Sequence, residues 1–141
     1  TLFGQYEYEI AMKVQAGEPI NYEMLCAEMT KLYKTYYGID ITEEKVKPFV
    51  WAYIPHLFYT PFYVYQYATS YTASMLIYEN VKAGKEGAFE DYIKMLKSGG
   101  STYPIQQVKI AGVDLTKKEA IECVTRRMTE LVDQLEALLK E

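Results

Sequence analysis

The sequence contains few of the side chains that bind transition metals. It has one histidine, His56, and two cysteines, Cys26 and Cys123, which are far apart in the chain. A zinc site needs three or four Cys, His, Asp or Glu ligands at compatible spacing, and no HExxH motif is present. We therefore expect no metal site in this chain alone. Both cysteines lie in helical patterns, which favours free, buried thiols in a reducing compartment over a disulfide.

An excess of basic residues and a long apolar run are also missing. The 15 Lys and Arg residues are outnumbered by 19 Asp and Glu residues, giving a net charge of -4. This balance does not favour a nucleic-acid surface. No run reaches the roughly 18 apolar residues of a membrane span, and no signal peptide is recognisable. Neither nucleic acid nor membrane is therefore expected as a partner.

The motifs of common hydrolytic and phosphate-binding sites are absent as well. No serine stands in a GxSxG elbow, and nothing near either cysteine suggests activation by His56. The Ser-Gly-Gly-Ser run at 98–101 follows no strand pattern, so we interpret it as a turn that ends a helix. The glutamates of the first and last predicted helices are interpreted as solvated faces. By itself, the chain supplies hydrogen-bond donors rather than a complete hydrolytic centre.

No alternating strand pattern occurs, whereas helical spacing runs through the chain, so the fold class is predicted to be all-α, a multi-helix bundle. At 141 residues, half of them hydrophobic, residues 1–141 are expected to form a single helical unit. Asn21 is predicted to cap one helix, and Thr116-Lys117-Lys118-Glu119 matches a capping box. Another helix is predicted from Glu43 to Tyr53, with Lys47 as the alternative start because Pro48 disfavours a helix interior. Helices are expected over 2–16, 22–37, 43–53, 61–83, 87–97 and 116–140, with a short segment over 103–111.

The most aromatic stretch runs from Trp51 to Tyr71 and reads WAYIPHLFYTPFYVYQYATSY. Its two prolines predict that one helix ends at Ile54-Pro55 and that the next begins at Pro61, with Thr60 as N-cap. His56 and Tyr59 then lie on the connecting turn. Tyr63 and Tyr67, spaced i, i+4, are expected to share a face near His56.

The predicted helix from Pro61 to Val81 is apolar or aromatic on all sides, which is typical of a helix surrounded by protein. Part of it is therefore expected to face a partner or a further portion of the same protein. We expect the isolated chain to self-associate through this exposed aromatic surface. The alternative is that a tyrosine stripe at helical spacing is simply core or interface, without a catalytic role.

The segment IPHLFYTPFYVYQYAT, residues 54–69, resembles the IPHFYxxFYVYxYATG stretch of oligoendopeptidase F, a branch of the thimet-like zinc peptidases of family M3. It departs from that pattern at Pro61, where asparagine is more frequent, and at Ser70, where glycine is usual. Further similar segments follow the family's order and extend the resemblance over essentially the whole chain. These are TLFxQ at 1–5, GEP at 17–19, YYG at 36–38, LKSGGSxYP at 96–104 and AGVD at 111–114.

The resemblance implies a cytoplasmic, helical metalloendopeptidase that hydrolyses short peptides in a deep channel. Such enzymes hold one zinc ion by an HExxH helix and a downstream glutamate. The chain would be the C-terminal part of a zincin-type catalytic domain, with the zinc-binding part N-terminal to it. Alone, without that missing N-terminal part, it is expected to bind no zinc and to be inactive.

The resemblance also implies roles for residues of the aromatic stretch. His56 corresponds to a histidine that binds the substrate backbone or stabilises the oxyanion, and Tyr63 and Tyr65 are the catalytic phenols. Tyr59 and Tyr67, together with His56, are expected to bind substrate; no metal ligand is expected. From a different class of protein, the alternative is a stand-alone helical module whose aromatic groove binds a peptide or a partner protein.

Overall fold

The structure is a computed structural model that describes residues 1–140. Over that range it is all-α, with no strand, as the sequence predicts. None of the helices in the described range is both long enough and apolar enough to cross a membrane. The elements are α1 (Leu2–Gln15), α2 (Tyr22–Tyr37), a 3-10 helix (Lys47–Tyr53), α3 (His56–Tyr59), α4 (Tyr65–Lys82), α5 (Ala88–Lys97), α6 (Pro104–Ile110) and α7 (Lys118–Leu139).

The chain divides into two compact units, Thr1–Ala68 and Thr69–Glu141. In the first unit, α1, α2 and the 3-10 helix pack around one apolar cluster. Its buried members are Leu2, Tyr6, Met29, Leu32 and Ile41. Whether the chain folds as the single unit that we expected stays a prediction.

Helix ends in the first unit follow the predicted local chemistry. The Asn21 side chain accepts a hydrogen bond from the Met24 N–H at 2.9 Å, as expected of an N-cap. Gly38 ends α2 in the left-handed conformation, with φ of 68°, which glycine adopts without a Cβ clash. The 3-10 helix begins at Lys47 with Pro48 in its first turn, so the later of the two predicted starts is confirmed.

The second unit has its own apolar cluster, formed by α4, α7 and the segment after α6. Its buried members are Ala73, Leu76, Ile77, Ala111, Val113, Ala120 and Cys123. Beside it, Glu79 of α4 forms an ion pair with Arg126 of α7. Burial and the neighbouring Glu79 raise the pKa of Cys123 to about 11. Both cysteines are free, as predicted; Cys123 is buried, whereas Cys26 is only half-buried.

The predicted capping box at the start of α7 is wrong. The helix begins at Lys118, its N-cap is Lys117, and no side chain caps it. The Thr116 hydroxyl instead donates to the Asp114 carboxylate at 2.7 Å, and the Thr116 N–H donates to the same oxygen at 3.0 Å. Because the Thr116 hydroxyl is hydrogen-bonded to Asp114, it does not cap the helix.

The predicted start of the long aromatic helix is also wrong. That helix, α4, begins at Tyr65 rather than Pro61, and Thr60 is the C-cap of the one-turn helix α3 instead of an N-cap. Phe62, with φ of 57°, interrupts a helical path between the two. The residues expected on a simple turn, His56 and Tyr59, lie at the two ends of α3.

Candidate functional site

Proline places the single histidine at the start of α3. Pro55 has φ of -62° and precedes the helix, where its ring is compatible with a helical start. Its carbonyl accepts the N–H groups of Phe58 and Tyr59 at 3.0 Å each, and the His56 carbonyl accepts that of Thr60 at 3.1 Å. These hydrogen bonds fix the backbone conformation of His56.

Three of the predicted site residues form a contiguous group, here named the His–Tyr cluster: His56, Tyr63 and Tyr67. His56 and Tyr63 are stacked, with ring centroids 5.1 Å apart and planes 8° from parallel. Tyr67 meets both rings edge-on, at 6.1 Å from His56 and 5.5 Å from Tyr63. These separations are typical of favourable aromatic pairs.

The His–Tyr cluster is open to ligands. His56 is half-buried, while Tyr63 is 36% exposed and Tyr67 is 58% exposed. The pKa of Tyr67 is raised above its ordinary value, first by desolvation and then by the charge and hydrogen bond of the neighbouring Tyr63. Since a phenol ordinarily titrates near pH 10, Tyr67 keeps its proton at neutral pH. It can therefore donate a hydrogen bond to an oxygen of a bound ligand.

Tyr59 and Tyr65, also predicted site residues, lie outside the His–Tyr cluster. Tyr59 is 84% exposed at the end of α3, and Tyr65 is 50% exposed at the start of α4. Gly4 of α1 lies against Tyr65: a Cβ at Gly4 would be 3.1 Å from the Tyr65 Cβ and 3.3 Å from its Cα. Glycine therefore permits the close approach of α1 to the first residue of α4.

The residues that shape the turn between α3 and α4 were not predicted from the sequence. Phe62 is the one non-glycine residue of the described chain with positive φ. Its N–H donates to the Glu7 carboxylate of α1 at 2.6 Å, across 55 residues of sequence. Glu7 had been interpreted as part of a solvated helix face, and its contact has no local sequence signature. The departure from the family pattern at Pro61 was the nearest signal.

An apolar cleft of about 320 Å³ lies beside this turn in the first unit. Trp51, the only tryptophan, lines it; its Nε1–H points to the Cys26 sulfur at 3.5 Å. Other lining residues come from α1, α2 and the turn, and they include Ile10, Leu25, Phe58, Pro61 and Phe62. Glu7, held by the Phe62 N–H, supplies a carboxylate to an otherwise apolar wall.

The described residues do not fit a zinc site. Over residues 1–140, no three His, Cys, Asp or Glu side chains come together in a group that could hold a metal ion. The imidazole of His56 is surrounded by phenol rings, which are not the N, S and carboxylate ligands that zinc prefers.

A family model described as Peptidase family M3 matches residues 1–126. The chain belongs to this family, as the resemblance of its aromatic stretch predicts.

Curated relatives are named as oligopeptidases. The chain is 45% identical over 122 residues to an oligoendopeptidase F homolog of Borreliella burgdorferi, covering 86% of this chain and 20% of that protein. It is 39% identical over 139 residues to oligopeptidase PepF of Bacillus subtilis, covering 99% and 21% respectively. The chain thus spans about a fifth of the length of these relatives.

Two solved structures share the fold. Oligoendopeptidase-F from Enterococcus faecium matches with a TM-score of 0.91 at 32% identity, over 99% of this chain and 26% of that one. A putative peptidase from Chlamydophila abortus matches with a TM-score of 0.85 at 34% identity, over 97% and 23%.

Proposed function

We propose that the chain is the C-terminal part of an oligoendopeptidase F-type zinc metalloendopeptidase that hydrolyses short peptides. The observation that carries this proposal is the His–Tyr cluster, formed by the stretch that most closely resembles the family. Membership of peptidase family M3 and the names of the relatives support it. We also propose a cytoplasmic location, which is implied by the resemblance alone.

In this proposal the chain contributes hydrogen-bond donors to the wall of a peptide-binding channel. The stacked Tyr63 ring holds the His56 imidazole in one orientation, so that it can bind the substrate backbone or donate to the oxyanion of the scissile carbonyl. Tyr63 and Tyr65 supply further catalytic phenols, while Tyr59 and Tyr67 bind substrate. Removing one donor aimed at developing charge typically lowers kcat by about 10²–10³, or ~3–4 kcal/mol.

We assign the zinc to residues of the longer protein, since the described residues of this chain do not provide its ligands. The missing N-terminal part would also cover the exposed tyrosines of α4. Tyr65, Tyr67, Tyr71 and Tyr78 of that helix are each about half exposed, between 49% and 59%. Without that part, the chain would be inactive and would self-associate through these side chains.

The test uses the full-length protein and single substitutions at His56, Tyr63 and Tyr65. We expect His56→Ala, Tyr63→Phe and Tyr65→Phe each to lower kcat for a fluorogenic short peptide by about 10²-fold, with zinc content unchanged by elemental analysis. Tyr53→Phe is the matched control, because Tyr53 is 66% exposed and outside the His–Tyr cluster. Wild-type turnover by the zinc-loaded His56 or Tyr65 variants would show that these roles are wrong.

A second candidate function is a stand-alone module that binds a peptide or a partner helix. The cleft of about 320 Å³ favours it, because an apolar groove of this kind accepts an amphipathic helix or an apolar side chain. Trp51 lines the cleft and is the only tryptophan, so its fluorescence reports occupancy directly. Saturable quenching or enhancement by peptides in the isolated chain, without any cleavage by the full-length protein, would favour the module over the peptidase.

A further inference from the structure

The Pro61–Phe62 turn adopts a backbone conformation that its sequence does not favour. Phe62 has φ of 57°, in the left-handed region where the Cβ of a bulky residue meets the backbone unfavourably. Glycine or asparagine is the usual occupant of such a position. Strained residues of this type persist only where surrounding contacts hold them, and they concentrate at functional sites.

Glu7 provides the holding contact. Its carboxylate accepts the Phe62 N–H at 2.6 Å, a charge-assisted bond of the stronger kind. One helical turn earlier on α1, Gly4 lies against the Tyr65 backbone. Helix α1 therefore contacts the chain on both sides of Tyr63, at Phe62 and at Tyr65.

Tyr63 is thus positioned between two points that α1 fixes. Its carbonyl accepts the Gln66 N–H at 3.0 Å, which leads into α4, and its ring stacks on His56. The backbone turn at Phe62 lies between the C-cap of α3, which carries His56, and Tyr63. Relaxing Phe62 to an extended or helical conformation would redirect the following residue, and the two rings would separate.

We propose that Glu7 is a positioning residue of the His–Tyr cluster: by holding the Phe62 N–H, it keeps Tyr63 stacked on His56. Its catalytic importance rests on the proposed peptidase function, whereas its effect on the two rings does not. Glu7 acts through the backbone of the turn, at the Phe62 N–H.

The first test measures the ring geometry by NMR in the 141-residue chain. Because His56 is the only histidine, its imidazole protons give one unambiguous set of signals, displaced by the ring current of the stacked Tyr63. Glu7→Met keeps the apolar stem but removes the acceptor, so the ring-current displacement should be lost. Glu7→Gln keeps an acceptor oxygen and should retain it. Glu9→Met is the matched control, since Glu9 lies on the same helix and accepts a hydrogen bond from Gln5 of that helix at 3.4 Å.

The decisive variant is E7M/F62G. Glycine adopts positive φ without strain, so the turn should keep its conformation without the hydrogen bond to residue 7. The wild-type His56 signals should then return. The double variant also provides a test if E7M alone fails to fold. In that case E7M/F62G should fold and should show the wild-type His56 signals. Unchanged signals in a folded E7M, or a double variant that stays displaced or unfolded, would overturn the proposal.

The second test measures peptide cleavage by the full-length protein. E7M should lower kcat by about ten- to a hundred-fold, the usual effect of a misplacement near 1 Å, with KM little changed because the lost interaction forms in the transition state. E7M/F62G should recover the rate, and E9M should keep it. If E7M shifts the His56 signals but His56→Ala retains full activity, the peptidase role fails while the positioning role stands. If His56→Ala loses activity but E7M keeps the wild-type rate, the positioning role fails and the peptidase role stands.

Discussion

Tyr63 and Tyr67 meet edge to face, with ring centroids 5.5 Å apart and planes at 79°. The contact was expected between two residues of one helix. In the structure Tyr63 precedes α4, which begins at Tyr65, and the turn at Phe62 brings its ring to the same place. Desolvation, and after it the proximity of the Tyr63 phenol, raises the pKa of Tyr67.

Replacing Tyr63 by phenylalanine should lower the pKa of Tyr67. The substitution keeps the ring but removes both the hydrogen bond and the neighbouring ionisable group, two of the causes that raise this pKa. Desolvation, the largest cause, remains, so the pKa should fall without returning fully to 10.0. Titration of a chain labelled with ¹³Cζ-tyrosine measures the shift, with the Tyr67 signal assigned by its absence in Tyr67→Phe.

Tyr59→Phe serves as the control for this titration. Tyr59 is 84% exposed and lies outside the His–Tyr cluster, so the pKa of Tyr67 should not change. A Tyr63→Phe variant in which Tyr67 titrates as in the wild type would contradict the coupling.

Truncating Leu32 should strongly destabilise the first unit. Its side chain is 1% exposed within the cluster formed by α1, α2 and Ile41, and Leu-to-Ala changes in such sites cost about 2–5 kcal/mol. Trp51 lies in the same unit and reports its unfolding in urea by fluorescence. Leu135→Ala on α7 is the control: that side chain is 57% exposed, so the change should stay within about 0.5 kcal/mol. Equal losses at the two positions would contradict the assigned core.

Asp114 should make stability depend on pH in the acid range. Hydrogen bonds from the Thr116 side chain and backbone, with a smaller contribution from Lys109, lower the pKa of Asp114 from 3.8 to about 2. The folded state therefore favours the ionised carboxylate. Its stabilisation is present above pH 3.8 and is lost as the pH falls through about 2.

The measurement compares melting temperatures of the wild type and Asp114→Asn between about pH 2 and pH 5. The difference between the two proteins should be largest near pH 5 and should shrink toward pH 2, because protonation removes the same charge as the substitution. Asp133→Asn, on the exposed face of α7, is the matched control for the removal of one carboxylate. A constant difference for Asp114→Asn would show that the bonds to Thr116 do not stabilise the ionised form.

The isolated chain should self-associate through the tyrosines of α4. Sedimentation velocity over a range of concentrations should show a weight-average mass that rises with concentration. Tyr71→Glu places a charge on a side chain that is 59% exposed on α4 and should reduce the association. Tyr8→Glu, at an equally exposed tyrosine of α1 (56%), is the control. A monomer at the highest concentration in every variant would contradict the prediction.

Local chemistry explains where prediction of the helices succeeded and where it failed. The Asn21 cap and the left-handed Gly38 act within a few residues, so their sequence signals are sufficient. Thr60 and Thr116 carry equally good local signals, yet neither caps a helix. At Thr116, the Asp114 carboxylate competes for the hydroxyl. After Thr60, the chain bends at Phe62, whose N–H is bound by a distant carboxylate.

The sequence by itself determined the all-α class, most helix boundaries and the concentration of one histidine with several tyrosines, because helical spacing, turn residues and composition are local properties. The i, i+4 spacing also predicted Tyr63 and Tyr67 near His56, but only the tertiary structure decided how the three rings meet. Tyr63 stacks on His56 and Tyr67 meets it edge-on, whereas no ring pair joins His56 to Tyr59 or Tyr65 in the described part of the chain. The physical reason is a hydrogen bond from Phe62 to Glu7 across 55 residues. Its geometry depends on how α1 packs against the turn, and no local pattern encodes that packing.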